Sequence, residues 1–148
     1  MKTAYLFIFL LICSSCVDDE ICVASKSNVV KIDFYDANEP TTPLAVTFLD
    51  ILPSGFPEAF PDYTDSTLTS IDLTVDPNES TTVFIMETLE RKDTLTLSYD
   101  IVPYLLSPTC GPQLSFLDLT VPNDTFDSLT LVNTQFLEGA ETNINIYY

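Results

Sequence analysis

Apolar and polar residues alternate along most of the chain after residue 28, and this alternation predicts β-strands. Successive side chains of a strand point to opposite faces, so a period of two gives one apolar face and one polar face. No segment has a sustained helical period. The alternating runs are residues 30–35, 44–48, 71–75, 95–101, 114–121, 129–131 and 144–148.

Two segments depart from simple alternation. Residues 83–86 are apolar on both faces, which predicts a strand in the middle of a sheet. At Phe116 and Leu117 the apolar phase shifts by one residue, which predicts a β-bulge. With these segments included, the pattern predicts about eight strands.

Prolines, asparagines and aspartates cluster between the runs and predict turns. The clearest clusters are residues 38–40, 76–78 and 122–124. Residues 90–93 form a short polar link between two runs, which predicts a hairpin. The predicted fold class is all-β, a single antiparallel β-sandwich of immunoglobulin-like shape.

The first 15 residues predict a secretory signal. Lys2 precedes an unbroken apolar run over residues 4–12, which as a helix would cover about half of a hydrocarbon core. Ser14 and Ser15 then lead directly into Cys16. This arrangement resembles the lipobox of bacterial lipoproteins, in which the cysteine thiol receives a diacylglycerol. An ordinary secretory signal and an apolar N-terminal strand are the alternatives.

The lipobox resemblance implies a division of the chain into three parts. Residues 1–15 would be a lipoprotein signal peptide, residues 16–27 a lipidated N-terminus with a short tether, and residues 28–148 the β-sandwich domain. A chain bearing two or three acyl groups at Cys16 would stay on the membrane. The expected location is therefore the outer membrane, through a lipid anchor.

Three acidic residues follow the lipobox cysteine, namely Asp18, Asp19 and Glu20. An acidic cluster in this position resembles the surface-export signal of Bacteroidota lipoproteins. The alternative is that three acidic residues mean little in a very acidic chain. Surface-exposed and periplasm-facing locations both stay open.

The formal net charge of −17 narrows the range of partners. Nucleic acid is not expected as a partner, and neither is electrostatic docking on anionic headgroups, because both need a basic surface. The charge suits solubility, cation binding or a basic partner.

The cysteines allow one intramolecular disulfide. Cys13 would leave with the signal and Cys16 would carry lipid, which leaves Cys22 and Cys110 in an oxidising compartment. Closing so long a loop would stabilise the fold by roughly 4 to 5 kcal/mol. Two separate buried thiols are the alternative. Since Cys16 and Cys22 can be at most about 20 Å apart, the disulfide would hold the domain close to the bilayer.

Several short stretches taken together resemble one family. They are residues 19–22 (Asp-Glu-Ile-Cys), residues 30–36, the central Cys-Gly within residues 106–111, and the closing Ile-x-Ile-Tyr-Tyr within residues 143–148. They are similar to short Bacteroidota lipoproteins known only by a domain of unknown function. The resemblance implies that Cys22 and Cys110 are the family's paired cysteines. It implies no activity, cofactor or catalytic residue.

The composition excludes several catalytic classes. The chain has no histidine, which excludes Ser-His-Asp triads, Cys-His pairs and histidine zinc sites. Its three glycines form no phosphate-binding loop. No catalytic residue and no cofactor is predicted, although a carboxylate-dependent hydrolase stays as a third alternative for the function.

Calcium is a weak metal hypothesis. Asn123, Asp124 and Asp127 lie within one predicted turn and could supply the oxygen ligands that calcium prefers. Asp76, Asn78 and Glu79 form a second such group. Neither group has EF-hand spacing, and capping of the turns by these side chains is the favoured alternative.

The longest irregular stretch, residues 53–65, carries aromatic side chains beside carboxylates. Phe56, Phe60 and Tyr63 could stack on a sugar or fill a pocket of a partner. The alternative is that these aromatics only pack the loop onto the domain.

Three Asp-Ser or Asp-Thr triplets resemble the O-glycosylation acceptor of Bacteroidota. The acceptor hydroxyls would be those of Ser66, Thr94 and Ser128. Chance matches are easy in a chain rich in Asp and Thr.

The predicted function is a non-enzymatic accessory or binding module of the cell envelope. The expected partners are the membrane, through the lipid anchor, and an unknown envelope protein or glycan. The alternative is a structural or assembly lipoprotein of an envelope complex.

Overall fold

The alternating runs form strands in the computed structural model, which describes residues 28–54, 63–136 and 141–148. These ranges are all-β, without an α-helix, and form two sheets, one of them curled into a half-barrel. Among the described residues no helix has the length and apolarity needed to cross a membrane. The nine strands in these ranges are β1 (Val29–Tyr35), β2 (Val46–Pro53), β3 (Ser66–Leu68), β4 (Ser70–Thr74), β5 (Thr81–Thr88), β6 (Lys92–Ser107), β7 (Gly111–Asp124), β8 (Ser128–Leu131) and β9 (Ile144–Tyr147).

The four-stranded sheet has the order β4-β1-β9-β8. Its central pair, β1 and β9, runs parallel, with Ile32 opposite Ile144 and Tyr35 opposite Tyr147. The prediction of an entirely antiparallel arrangement is therefore wrong at this pair. Parallel pairing requires a long connection between the strands, and here all the other strands lie between the two partners.

The five-stranded sheet has the order β3-β2-β5-β6-β7. The strand predicted from residues 83–86 is β5, which lies between β2 and β6, so its central position is confirmed. β6 and β7 form a long hairpin whose pairing extends from Leu95 opposite Asp124 to Ser107 opposite Gly111. The tight turn at the hairpin tip ends at Gly111, whose φ of 73° suits glycine.

The two sheets share one hydrophobic core. Val30, Ile32 and Phe34 of β1 are fully buried, as are Leu95 and Leu97 of β6, so alternate residues face inward as predicted. The shared core is what a sandwich requires. The immunoglobulin-like arrangement itself stays a prediction.

The predicted bulge exists and lies just beyond Leu117. Asp100 of β6 pairs with Leu117, and Ser98 pairs with Thr120, so β7 has one extra residue in this interval. Asp118 within it has a φ of 54°. Phe116 and Leu119 are three residues apart and would face opposite sides of a regular strand. The extra residue of the bulge lets both side chains face the core, and both are buried.

Two of the three predicted turns are confirmed, and one is wrong. Residues 38–40 and 76–78 lie in turns, but residues 122–124 belong to β7. Asn123 and Asp124 pair with Thr96 and Leu95 of β6, so pairing along the long ladder overrides the local turn composition.

Candidate functional site

Arg91 joins two loops at one end of the molecule. It lies in the turn between β5 and β6, where the sequence predicts a hairpin, and this hairpin is confirmed. Its Nη1 lies 2.6 Å from Asp127 Oδ2, and its Nη2 donates to the carbonyl oxygen of Thr125 at 3.0 Å. Its Nε and Nη2 each lie 2.8 Å from one carboxylate oxygen of Asp93. We call Arg91, Asp93, Thr125, Asp127 and Tyr148 the Arg91 cluster.

Asp93 is the buried member of the cluster, with only 1 % of its surface exposed. A carboxylate at this depth needs charged or hydrogen-bonded partners to remain ionised. Arg91 supplies the charge, and Thr125 Oγ1 donates a further hydrogen bond to Asp93 Oδ1 at 3.2 Å. The hydrogen bonds with Asp93 and then Asp127 raise the pKa of Arg91 above its already high value. The cluster is therefore a fixed ion-paired structure at neutral pH.

Tyr148 packs beneath the guanidinium. The Arg91 Cζ atom lies 5.8 Å from the centre of the Tyr148 ring, and the rings of Phe34 and Phe126 pack against it at 6.0 and 5.8 Å. The Tyr148 hydroxyl is buried and has no hydrogen-bond partner among the described residues. Burial, followed by the nearby Asp93 charge, raises the pKa of Tyr148. The phenol therefore stays neutral.

A groove of about 360 Å³ opens beside the cluster. Its lining consists of residues 44–47 at the start of β2, residues 88–91 at the β5–β6 turn, and Tyr148. Leu89 is 78 % exposed at its rim. Its size is at the lower end of ligand sites, and such sites combine apolar walls with a few polar groups. The groove could therefore hold a ring or a side chain of a partner.

The opposite end of the β6–β7 hairpin has no charged residue. We call residues 101–117, which lie between Asp100 and Asp118, the uncharged hairpin. Val102, Leu105, Leu114 and Leu117 are all exposed here, and Leu105 is the most exposed of them at 65 %. Leu114 lies opposite Pro103, and Leu105 lies opposite Pro112, so one face of the ribbon is apolar to its tip.

The predicted N-terminal sites all lie outside the described residues. They are Cys16, Asp18, Asp19, Glu20 and Cys22.

Cys110 is described. It is half-buried in the turn at the tip of the uncharged hairpin, where its backbone N–H donates to Ser107 Oγ at 3.1 Å. Cys110 is the one cysteine within the described ranges, so these ranges cannot show a disulfide. The pairing of Cys22 with Cys110 therefore stays a prediction.

The predicted binding loop is described only at Tyr63, because Phe56 and Phe60 lie outside the described residues. The Tyr63 hydroxyl donates to the carbonyl oxygen of Asp72 at 2.8 Å and accepts from its N–H at 3.0 Å. Asp72 belongs to β4, an edge strand of the four-stranded sheet. At Tyr63 the contacts thus fit packing of the loop onto the domain, and a binding role of the loop stays a prediction.

The calcium candidates have protein partners. Asp124 Oδ1 accepts from the Phe126 N–H at 3.1 Å, and Asp127 pairs with Arg91, while Asn123 is exposed in β7. In the second group, Asp76 Oδ1 accepts from the Asn78 N–H at 2.8 Å. Within the described part of the chain, no three or more His, Cys, Asp or Glu side chains are placed to hold a metal. These bonds fit the alternative of turn capping.

The three glycosylation candidates differ in accessibility. Ser66 at the start of β3 and Thr94 within β6 are half-buried, whereas Ser128 at the start of β8 is exposed. Glycosylation stays a prediction, and Ser128 is the most accessible of the three hydroxyls.

Sequence reasoning missed the Arg91 cluster and a second buried polar centre at Asn143. Asn143 Oδ1 accepts from the Lys31 N–H at 3.0 Å, and its Nδ2 donates to the carbonyl oxygens of Asn133 and Gln135 at 3.1 and 2.8 Å. One signal for the cluster was present, because Arg91 is the only arginine in an acidic chain. Asn143 opens the closing stretch of the family resemblance, but nothing local indicated its burial.

Comparison with known proteins places the chain in a family without assigning an activity. A family of unknown function, DUF6452, matches residues 61–148, which include β3 to β9. No curated protein and no solved structure matches. The resemblance to a domain of unknown function is thus confirmed, while the Bacteroidota and lipoprotein features stay predictions. The chain belongs to the family of unknown function DUF6452.

Proposed function

We propose that the protein is a non-enzymatic binding module of the bacterial outer membrane, attached by acyl chains on Cys16. Its binding site is the groove beside the Arg91 cluster, and its partner is an envelope protein or glycan. The observation that carries this proposal is the chemistry of the groove, where apolar and hydroxyl side chains surround a guanidinium already paired with Asp93 and Asp127.

The groove is better suited to binding than to acid–base chemistry. A general acid or base works best with a pKa near the operating pH, but the pKa values of Arg91 and Tyr148 are both raised away from neutrality. Glycosidase chemistry needs two carboxyl groups flanking the bond. Glu90 is the one carboxylate among the groove's lining residues. These features argue against the hydrolase alternative at this site.

The location is supported by the sequence. The short apolar run, the small residues before Cys16 and the cysteine itself fit a lipidated chain. Cys22 and Cys110, the two cysteines that remain beside the signal and the lipid site, fit a disulfide in an oxidising compartment. Asp18, Asp19 and Glu20 support display on the cell surface, with a periplasm-facing location as the alternative. An immunoglobulin-like sandwich is proposed as the fold because the two sheets share a core.

Site-specific photo-crosslinking in intact cells tests the binding site. A photoreactive residue replaces Leu89 at the rim of the groove, and the control replaces Val132, which is also exposed but does not line the groove. We expect a discrete adduct from position 89 and none from position 132. Filling the groove with Ala45→Trp, at an exposed position of its wall, should abolish the adduct.

Two outcomes would contradict the proposal. Equal crosslinking from both positions would mean non-specific contact. An adduct that survives Ala45→Trp would favour the structural or assembly lipoprotein, for which attachment matters and the groove does not. Attachment is tested separately by mass spectrometry of the N-terminal peptide, which should carry a diacylglycerol on Cys16. The Cys16→Ser chain should leave the membrane fraction.

A further inference from the structure

We infer that the uncharged hairpin lies against the lipid surface and forms a second, non-covalent contact between the domain and the membrane. This inference rests on the proposed lipid attachment at Cys16. It adds which end of the domain faces the bilayer and which residues contact the lipid.

The distribution of charge along the chain favours this contact. The chain carries 22 acidic residues, yet residues 101–117 contain none, and they contain no lysine or arginine either. An acidic surface is repelled by anionic headgroups, so an uncharged segment can approach the membrane at the lowest electrostatic cost. Charge returns at Asp100 and Asp118, both exposed at the base of the hairpin, which would limit the depth of the contact.

The hairpin also exposes apolar side chains. The described residues include six large hydrophobic side chains with high exposure, and four of them lie in this hairpin. Leu105 and Leu114 lie on one face of the ribbon, and Val102 and Leu117 lie on the other. Concentrated exposed apolar surface is typical of sites that contact membranes or partners. Backbone polar groups limit how far a ribbon can enter lipid, but β6 and β7 pair with each other up to Ser107 and Gly111.

The start of the described chain lies near the base of the hairpin. The described chain begins at Asn28, whose Nδ2 donates to the carbonyl oxygen of Val75 at 3.0 Å. The next residue, Asp76, accepts a hydrogen bond from the Tyr99 hydroxyl at 2.8 Å. Tyr99 lies two residues before the uncharged hairpin begins. The tether therefore enters the domain at the hairpin end and away from the Arg91 cluster.

The lengths are compatible with simultaneous contact. Residues 16–27 reach at most about 40 Å when fully extended. The hairpin extends about 26 Å from Tyr99 to Ser107, at about 3.3 Å per residue. The acyl chains and the hairpin tip can thus reach one membrane together. A disulfide from Cys110 to Cys22 would hold the hairpin tip closer to the acylated Cys16, since Cys110 lies at the tip.

The absence of tryptophan from the chain allows a direct test. Leu105→Trp and Leu114→Trp each place a single tryptophan on the apolar face of the hairpin. As a control, Leu89→Trp places one in the β5–β6 turn, next to the far end of β6. The acylated full chain is reconstituted on phosphatidylcholine vesicles with bromine on the acyl chains, which quenches tryptophan on contact.

We expect the emission from positions 105 and 114 to fall by about half, because an interfacial apolar face lies about 5–10 Å deep. The emission from position 89 should be unchanged. Adding Leu105→Glu to the Leu114→Trp chain should remove the quenching, because a carboxylate on the same face opposes the contact. The parent vesicles without bromine provide the reference intensity.

The outcomes separate this inference from the proposed attachment, because the same samples are analysed by mass spectrometry for acylation of Cys16. Acylated protein that sediments with vesicles while positions 105 and 114 stay unquenched would overturn the hairpin contact alone. A blue-shifted but unquenched tryptophan would mean that protein, from this chain or a second copy, covers the hairpin, which also overturns it. Quenching without acylation would overturn the attachment alone. A sample that shows neither quenching nor acylation would overturn both proposals.

Discussion

The two ends of the β6–β7 hairpin differ in charge, burial and polar bonding. At the Arg91 end, a buried carboxylate, an arginine and a backbone carbonyl form a closed network. At the other end, residues 101–117 carry no charge, and leucines are exposed. In a chain of net charge −17, this contrast shows that one end of a single ribbon is free of the charge that covers the rest.

The contrast follows from what covers each half of β6. Leu95, Leu97 and Leu105 belong to the same face of the strand, yet the first two are fully buried and Leu105 is 65 % exposed. Strand β5 pairs with β6 only as far as Ser98. Beyond that residue the hairpin continues as a two-stranded ribbon. Phe136 packs on this ribbon at Tyr99 and Phe116, and Leu105 lies farther out toward the tip.

The largest expected effect concerns how the uncharged hairpin is held. If Cys110 bonds to Cys22, Cys110→Ser should lower the free energy of unfolding by about 4 kcal/mol, because the crosslink closes a long loop in the unfolded chain. Urea denaturation of the oxidised protein measures the change. Cys22→Ser should have the same effect, and the double variant should lose no more. An unchanged unfolding midpoint for Cys110→Ser would mean that no disulfide holds the tip of the uncharged hairpin, and that only the Arg91 end is held by a specific network.

The next effect concerns the Arg91 cluster. Asp93→Ala should lower the free energy of unfolding by about 2 kcal/mol, because it removes the buried partner of a guanidinium that is only partly exposed. Asp127→Ala is the matched control on the same guanidinium. Its side chain is 71 % exposed, so the loss should stay below about 1 kcal/mol and shrink with added salt. Equal losses in chemical denaturation would show that burial of Asp93 contributes nothing.

The smallest effect concerns Tyr148. At neutral pH, Tyr148→Phe should change the stability by less than about 0.5 kcal/mol, because the hydroxyl has no hydrogen-bond partner among the described residues. Tyr99→Phe is the control and should cost about 1 kcal/mol, since the Tyr99 hydroxyl donates to the Asp76 carbonyl oxygen.

The pH dependence has a definite sign. Burial raises the pKa of Tyr148 in the folded state. Above pH of about 10 the unfolded chain loses this phenolic proton while the folded chain keeps it. The contribution of Tyr148 to the free energy of unfolding therefore falls as the pH rises. Thermal unfolding between pH 8 and 11 should therefore show a shallower decline for Tyr148→Phe than for the parent. Parallel curves would mean that the hydroxyl is solvated.

Local pattern predicted the strands, because alternation is a property of neighbouring residues. β1, β4 and β6 bury the residues that the period selects. The bulge also left a local sign in the phase shift at Phe116 and Leu117. The turn predicted at residues 122–124 failed because pairing with β6 extends through them. Composition alone could not show how far the ladder runs.

The candidate site depends on contacts that no local window contains. Arg91 meets Thr125 and Asp127 from 34 and 36 residues away, and the buried amide of Asn143 meets Lys31 from 112 residues away. Such pairs follow from sheet order, which the alternation does not encode. For the same reason the sequence could name Cys110 as a disulfide candidate but could not place it at the tip of the ribbon.

The parallel pairing of β1 with β9 has a consequence for the order of folding. The five-stranded sheet uses strands between Val46 and Asp124, a part of the chain that only β4 leaves for the other sheet, but the four-stranded sheet has β1 and β9 as its two inner strands. That sheet cannot close until the last strand has been synthesised, and such distant pairing slows folding. A fragment cut at residue 61, where the family match begins, would leave the edge of β9 unpaired and prone to aggregate. The folding unit therefore extends upstream of the matched segment, at least to Val29.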